Sequence, residues 1–322
     1  MNSYEPPFTI TPKILNLVSE ITEVVTKLQI QELKTVSPSL RKINRIKTIT
    51  GTLEIEGNTL GIEKVTAILE GKRVLGTQKE IAEVQGAIKA YDALDSFDYT
   101  DINDILKAHK ILMGDILTNA GNFRVTDVGV GGKEGVVHIA PPYTQVSNLM
   151  HNLFNWLKCS DIHPLIKSSI FHYEFEFIHP FTDGNGRIGR LWQNLILYKY
   201  KPIFNSIPIE SVVREHQKEY YKALEESGSV GESTPFIEFM LNAILLTCKS
   251  VPLNVSKNVP LKRLDKIIEL IKENGNITTT QIALLCNVSS KTIKRDISKL
   301  KEAGKIKRVG SQKSGYWEIV NE

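Results

Sequence analysis

Along most of this chain apolar residues recur every third or fourth position, the spacing that lines one face of an α-helix. Leu15, Val18, Ile21, Val25 and Leu28 form one such stripe and predict a helix over 13–34. Ser37 followed by Pro38 reads as an N-cap and a first-turn proline. The helix they open, 38–57, runs through Ile43, Ile46, Ile49 and Leu53, and Gly57 and Asn58 close it. Similar stripes predict helices over 62–70, 78–96, 101–113, 145–158, 164–177, 187–200, 211–226 and 235–249. One stretch breaks the period. FRVTDVGVGGKEGVVHIAPP, 123–142, holds two short β-branched runs around GGKEG and predicts a β-hairpin.

After residue 249 the pattern lapses. SVPLNVSKNVP, 250–260, carries two prolines and no helical period, and reads as a linker. Residues 261–322 then give an amphipathic helix, a helix–turn–helix and a hairpin, which is the plan of a winged helix. The fold expected is mainly all-α: a helical bundle with one β-hairpin, then a small winged-helix domain.

Composition narrows the class. The 322 residues, 41% apolar and 24% charged, are those of an ordinary globular protein of two or three domains. The most apolar stretch, FIEFMLNAILLTC over 236–248, is too short for a membrane span and contains Glu238. MNSYEPPFTI has no basic region or apolar leader, so a cytoplasmic protein without a membrane partner is expected. Cys159, Cys248 and Cys286 show no metal spacing and read as buried thiols. Charge is uneven. From residue 261 there are 13 Lys/Arg against 7 Asp/Glu, whereas the preceding part has 27 against 29. The basic C-terminal end suits an anionic partner, with a solvated surface as the plainer alternative.

The densest chemistry is HPFTDGNGRIGR, 179–190. Gly184, Gly186 and Gly189 fit G-x-G-x-x-G, but the preceding segment reads as a helix, with Ile166, Ile170, Tyr173 and Phe177 on one face, and a dinucleotide turn needs a strand there. The hairpin does not make a P-loop either, since Asp127 stands where its first glycine should be. As a site, the segment is a glycine turn opening a helix, which offers backbone N–H groups and a positive helix end to phosphates. Arg187 and Arg190 add charge there. Asp183 is a hard oxygen ligand suited to Mg²⁺. His179 has the ordinary pKa of a general base. Together these residues suit nucleotidyl or phosphoryl transfer to a hydroxyl.

HPFTDGNGRIGR also resembles the Fic-domain motif at every fixed position, and the resemblance extends over about 40–245. It divides the chain into an N-terminal helical region, 1–100, with an inhibitory helix over 38–57, and a catalytic core, 101–249, with a flap over 123–142. It implies AMP transfer from ATP to a Ser, Thr or Tyr hydroxyl of a protein, the chain itself included. His179 would take the hydroxyl proton and Asp183 would hold Mg²⁺. Gly184, Asn185 and Gly186 would cradle phosphates, with Ile188 and Gly189 in the same run, and Arg187 and Arg190 would hold the β- and γ-phosphates. Pro180 and Phe181 would anchor the loop. Phosphorylating relatives carry lysine where this chain has Gly186, so AMP transfer is the activity implied.

TLEIEGN, 52–58, resembles the family's inhibitory motif through Thr52, Glu56 and Gly57. A carboxylate at Arg190 would form a bidentate pair and consume the donors meant for the γ-phosphate. In some relatives the same glutamate supports AMP removal. In the flap, Val130, Gly131 and Gly132 match positions beside the nucleotide and Lys133 follows them, while Arg124 is read as a brace. Tyr220 matches a tyrosine beside the adenine, with Tyr221 facing the core; the reverse assignment is the alternative. In the winged helix, Ser289 or Ser290 would cap a recognition helix that presents Lys291, Lys294 and Arg295, with Lys313 in the wing. DNA binding and protein docking both suit that unit, and a homodimer is a state known among such relatives. Two rivals stand beside adenylyl transfer: a DNA-binding regulator that senses nucleotide, and transfer of another phosphate-containing group.

Overall fold

The computed structural model describes residues 4–35, 38–132, 135–250, 260–286, 288–310 and 315–320. Fourteen α-helices and two separate two-stranded sheets lie among them, so the mainly helical expectation holds. The chain forms two compact units, 1–32 with 45–252 and 33–44 with 253–322. Residue 100 is therefore not a boundary between compact units.

The first unit contains α1 (Pro12–Thr35), most of α2 (Pro38–Ile55), α3 (Gly61–Leu69), α4 (Gln78–Asp92) and α5 (Ile102–Met113). A hairpin of β1 (Gly129–Gly132) and β2 (Gly135–Ile139) follows, its register shifting between Val130 and Gly131. Then come α6 (Tyr143–Cys159), α7 (Pro164–Ile178), α8 (Asn185–Tyr200), α9 (Ile209–Glu215), α10 (Gln217–Val230) and α11 (Thr234–Ser250). The centre is the pair α7 and α8. Helix α7 is buried nearly all round rather than along one stripe, and Phe177, expected on that stripe, is exposed. Phe171 and Phe175 on α7 and Leu191, Trp192 and Leu195 on α8 are fully buried. Each such side chain contributes about 2 kcal/mol of transfer free energy, so the turn joining these helices is carried on the most rigid part of the unit.

Helix α2 ends at the glycine its sequence predicts, its last helical residue two positions before the expected 57. Gly57 takes a left-handed φ of 87°, Asn58 N–H donates to Leu53 O, and Gly57 N–H donates to Glu54 O. This is a Schellman closure, which leaves Glu56 in the turn rather than in the helix. The next carbonyl, Ile55 O, accepts from Gln217 Nε2 at 2.9 Å. Gln217 reaches it because the single helix expected over 211–226 is two helices, broken at His216 (φ −107°, ψ 37°).

The second unit has its own core of Ile267, Ile271, Ile282, Ile293, Ile297, Leu300 and Trp317. It comprises α12 (Pro260–Glu273), α13 (Thr279–Leu285), α14 (Ser290–Glu302) and the hairpin β3 (Ile306–Val309) and β4 (Tyr316–Ile319). Ser289 caps α14 through Thr292 N–H. Lys133, Lys313, Ser37 and most of the 250–260 linker lie outside the described residues. Cys248 is buried as expected, but Cys159 is exposed at the end of α6, where no core covers it. No described helix is long and apolar enough to cross a membrane.

Candidate active site

The turn between α7 and α8 is built by backbone contacts. His179 ends α7 with φ 49°, and it is the one non-glycine residue with positive φ among those described. Arg124, fully buried, holds it there. Its Nε donates to His179 O at 2.8 Å, Nη1 to Thr126 O and Nη2 to Pro141 O, so one guanidinium ties the turn to both ends of the hairpin segment. Phe181 is wholly buried and stacks on His109, with ring centres 3.7 Å apart. Gly184, at φ 87°, starts α8. The helix's own ladder begins with Ile188 N–H to Gly184 O, so the N–H groups of Asn185, Gly186 and Arg187 lie ahead of it, facing the turn.

The two arginines of α8 are both buried and both engaged. Arg190 Nε donates to Thr52 Oγ1 at 2.9 Å, and Nη2 donates to Glu56 Oε1 at 2.6 Å. The bidentate pair expected with Glu56 is thus a divided one. Thr52 lies in the last turn of α2 and Glu56 in the turn that closes it, and Thr52, nearer Nε, takes that donor. Only 3% of the Arg190 side chain is exposed, against 30% for Glu56. Burial works against the Arg190 charge, but Glu56 together with Tyr220 and Glu176 raises the pKa. Gly186 makes room for this contact: a Cβ there would lie 2.3 Å from Glu56 Oε1 and 3.1 Å from Arg190 Nη1. Arg187 Nη1 pairs with Glu83 at 3.3 Å and Nη2 with Asp183 at 3.0 Å, while its buried Nε has no hydrogen-bond partner among the described residues. Asp183 keeps 41% of its side chain exposed. Asn58 Nδ2 donates to Glu83 at 2.8 Å, which links the Glu56 turn to the second arginine.

Behind His179 lies a buried polar row. Tyr220 OH meets His172 Nε2 at 3.1 Å, and His172 Nδ1 meets Gln193 Oε1 at 2.7 Å. Burial and the nearby Arg190 charge push His172 down to about 3, so its ring is neutral. Glu176, between His172 and His179, is pushed up to about 8 by burial, against the pull of Arg190.

Several expected contacts fall elsewhere. Tyr220 faces the core: it is 1% exposed and its hydroxyl is held by His172, while Tyr221 is the exposed one of the pair. Successive helical positions point about 100° apart, and the break at His216 sets which faces inward. Ile188 is fully buried in the core, so it offers no side chain to a nucleotide. Gly189 packs against His172 and Glu176. The Asn185 side chain is occupied with Phe181, donating to its carbonyl at 2.9 Å and accepting its N–H at 2.8 Å. His179, Asp183, Gly184, Gly186, Arg187 and Arg190 do come together with Glu56. Glu83, His109 and Glu176 were not singled out from the sequence. Glu83 and His109 meet partners distant in sequence, Glu176 is a lone carboxylate beside two histidines, and no local motif marks them.

With this geometry in place, comparison with known proteins is informative. Residues 99–197 match the Fic/DOC family, and 263–310 match the DeoR-like helix-turn-helix domain. A Fic family protein from Desulfovibrio desulfuricans G20 is 38% identical, superposes with a TM-score of 0.75, and covers 99% of each chain. A segment of Fic-1 from Caenorhabditis elegans is 26% identical over 73% of this chain and 71% of that one, with a TM-score of 0.59. The Culex quinquefasciatus protein adenylyltransferase Fic is 31% identical over 61% of this chain. The match covers 39% of that relative's own length. The chain belongs to the Fic/DOC family.

His109 yields a pH prediction. Its Nδ1 accepts from Gly121 N–H at 2.8 Å, so the proton sits on Nε2, which donates to Asp183 O at 3.0 Å. Burial lowers its pKa to about 4. The unfolded chain therefore binds a proton that the fold refuses between about 6.5 and about 4, and stability falls as pH falls through that window. His109→Gln is less stable than the parent at pH 7, and the deficit shrinks by roughly 2 kcal/mol at pH 5. Urea unfolding at the two pH values measures it; a pH-independent deficit contradicts the assignment.

Proposed function

We propose that this chain transfers AMP from ATP to a hydroxyl side chain of a protein, and that Glu56 restrains the reaction by occupying Arg190. The observation that carries the reading is the pairing of a histidine before a glycine turn with a helix N-terminus and two buried arginines held by carboxylates. The adenylyltransferase names of relatives support it. In this mechanism His179 takes the proton of the target hydroxyl. The freed oxygen bonds to the α-phosphorus, and the bond to the β-bridging oxygen breaks, with pyrophosphate leaving with the electron pair. The N–H groups of Asn185, Gly186 and Arg187 receive phosphate oxygens, and Arg187 and Arg190 neutralise the charge gathering on the leaving pyrophosphate. Tyr221, the exposed member of its pair, is the better candidate to contact the base.

Asp183 fits a magnesium ion. It is one hard, half-exposed carboxylate beside the phosphate cradle, and Mg²⁺ takes one or two carboxylates with the rest from phosphates and water. Bound there, the ion would neutralise phosphate charge. Glu56 opposes the reaction by position: with Arg190 held on α2, a γ-phosphate loses its seat and the α-phosphorus loses alignment, which costs orders of magnitude in rate. Intact-mass measurement after incubation with ATP and Mg²⁺ tests both parts. Glu56→Gly gains AMP on itself or an added protein at least about tenfold faster than the parent, and adding His179→Ala abolishes it. Absence of any AMP adduct defeats the reading.

A second activity is favoured by the second unit. Lys291, Lys294 and Arg295 are all exposed on α14, whose opposite face builds the core. We propose that this face binds DNA phosphates. The full chain retards mixed-sequence DNA in a salt-dependent way, and the triple alanine variant binds weakly with a log–log salt slope reduced by about 3. Unaltered binding in the triple variant contradicts this role.

A further inference from the structure

We propose that Glu176 is the positioning residue for His179: it accepts from Nδ1–H, fixes the ring's tautomer and leaves Nε2 as the basic nitrogen. This rests on the reading of His179 as the proton acceptor. Glu176 sits one turn before His179 on α7, and its Oε2 lies 3.9 Å from His179 Nδ1. A small ring rotation closes that gap, and catalytic hydrogen bonds are commonly long before substrate binds. The backbone that aims the ring is fixed. His179 holds φ 49°, its N–H donates to Phe175 O, and its carbonyl accepts from Arg124. A left-handed non-glycine residue costs free energy and persists because its surroundings impose it.

The carboxyl is equally constrained. Its Oε1 is buried without a hydrogen-bond partner among the described residues, and the side chain is only 12% exposed. It fits between His172 and the backbone of α8 at Gly189, where a Cβ would lie 3.1 Å from Oε1. Of the two imidazoles at Glu176, His172 is 3.8 Å away and receives the Tyr220 hydroxyl on Nε2, so it has no proton there to give. His179 is left as the ring this carboxyl can orient. When Nε2 takes the target's hydroxyl proton, Nδ1–H of the ring stays directed at the Glu176 oxygen, which keeps the ring in place through the transfer.

Two measurements on the full chain test the proposal. Long-range ¹⁵N–¹H spectra, with His179 assigned by the signal lost in His179→Ala, read the tautomer directly. The parent shows Nδ1–H and a bare Nε2, and Glu176→Leu loses that preference while the other six histidines keep their signals. In the Glu56→Gly background, Glu176→Leu and the isosteric Glu176→Gln lower kcat for AMP transfer about tenfold or more with the KM for ATP unchanged. The Gln variant preserves the test should Leu unfold the chain. An unchanged tautomer in both variants, or an unchanged kcat, overturns the proposal. A tautomer that depends on Glu176 in a protein that adenylylates nothing upholds the positioning role and overturns the adenylyl-transfer reading instead.

Discussion

Arg190 is a full positive charge with almost no access to water, and the site is organised around satisfying it. A buried guanidinium left alone would cost several kcal/mol, so the fold must supply acceptors. It does so from the end of α2: Thr52 in the last turn takes Nε, and Glu56 in the closing turn takes Nη2. The pair is asymmetric in exposure, since Arg190 is sealed and Glu56 is at the edge. That asymmetry suits the proposed restraint. In that proposal an incoming phosphate replaces the Glu56 carboxylate while Thr52 continues to hold the guanidinium.

The second arginine repeats the arrangement at a different angle. Arg187 is held by Glu83 and Asp183, and Glu83 is also bound by Asn58, two residues beyond Glu56. The turn that closes α2 therefore touches both arginines, one directly and one through a shared carboxylate. The turn before α8 is kept rigid from the opposite side by Arg124 on His179 O and by His109 on Asp183 O. Phe181 locks the same turn into the core. Partly exposed carboxylates sit at the mouth, and buried groups sit beneath.

Contiguous chemistry was legible in the sequence, and chemistry assembled across helices was not. HPFTDGNGRIGR and TLEIEGN carry their meaning within twelve and seven residues, so the histidine, the arginines and Glu56 could be singled out there, and the fold brings them together. The helices and both hairpins followed from hydrophobic spacing. Tyr220 and Tyr221 could not be separated by spacing alone, because the break at His216 sets their register and no helix-breaking residue in the sequence marks it. Ile188 stands in the motif yet its side chain packs in the core, and the Asn185 side chain braces Phe181, which leaves its backbone N–H to face the turn. The bidentate pair failed because Thr52 competes for Nε. His109 and Glu83 act through main-chain atoms or through side chains distant in sequence, which leave no local pattern.

The central claim is that Glu56 and a nucleotide's terminal phosphate compete for the same guanidinium. A crystal structure of the Glu56→Gly chain with ATP and Mg²⁺ tests this most directly. The account predicts the γ-phosphate on Arg190, with Thr52 still bound to Nε and the α-phosphorus facing His179. A γ-phosphate seated away from Arg190, with the α-phosphorus nevertheless placed for attack, would contradict it.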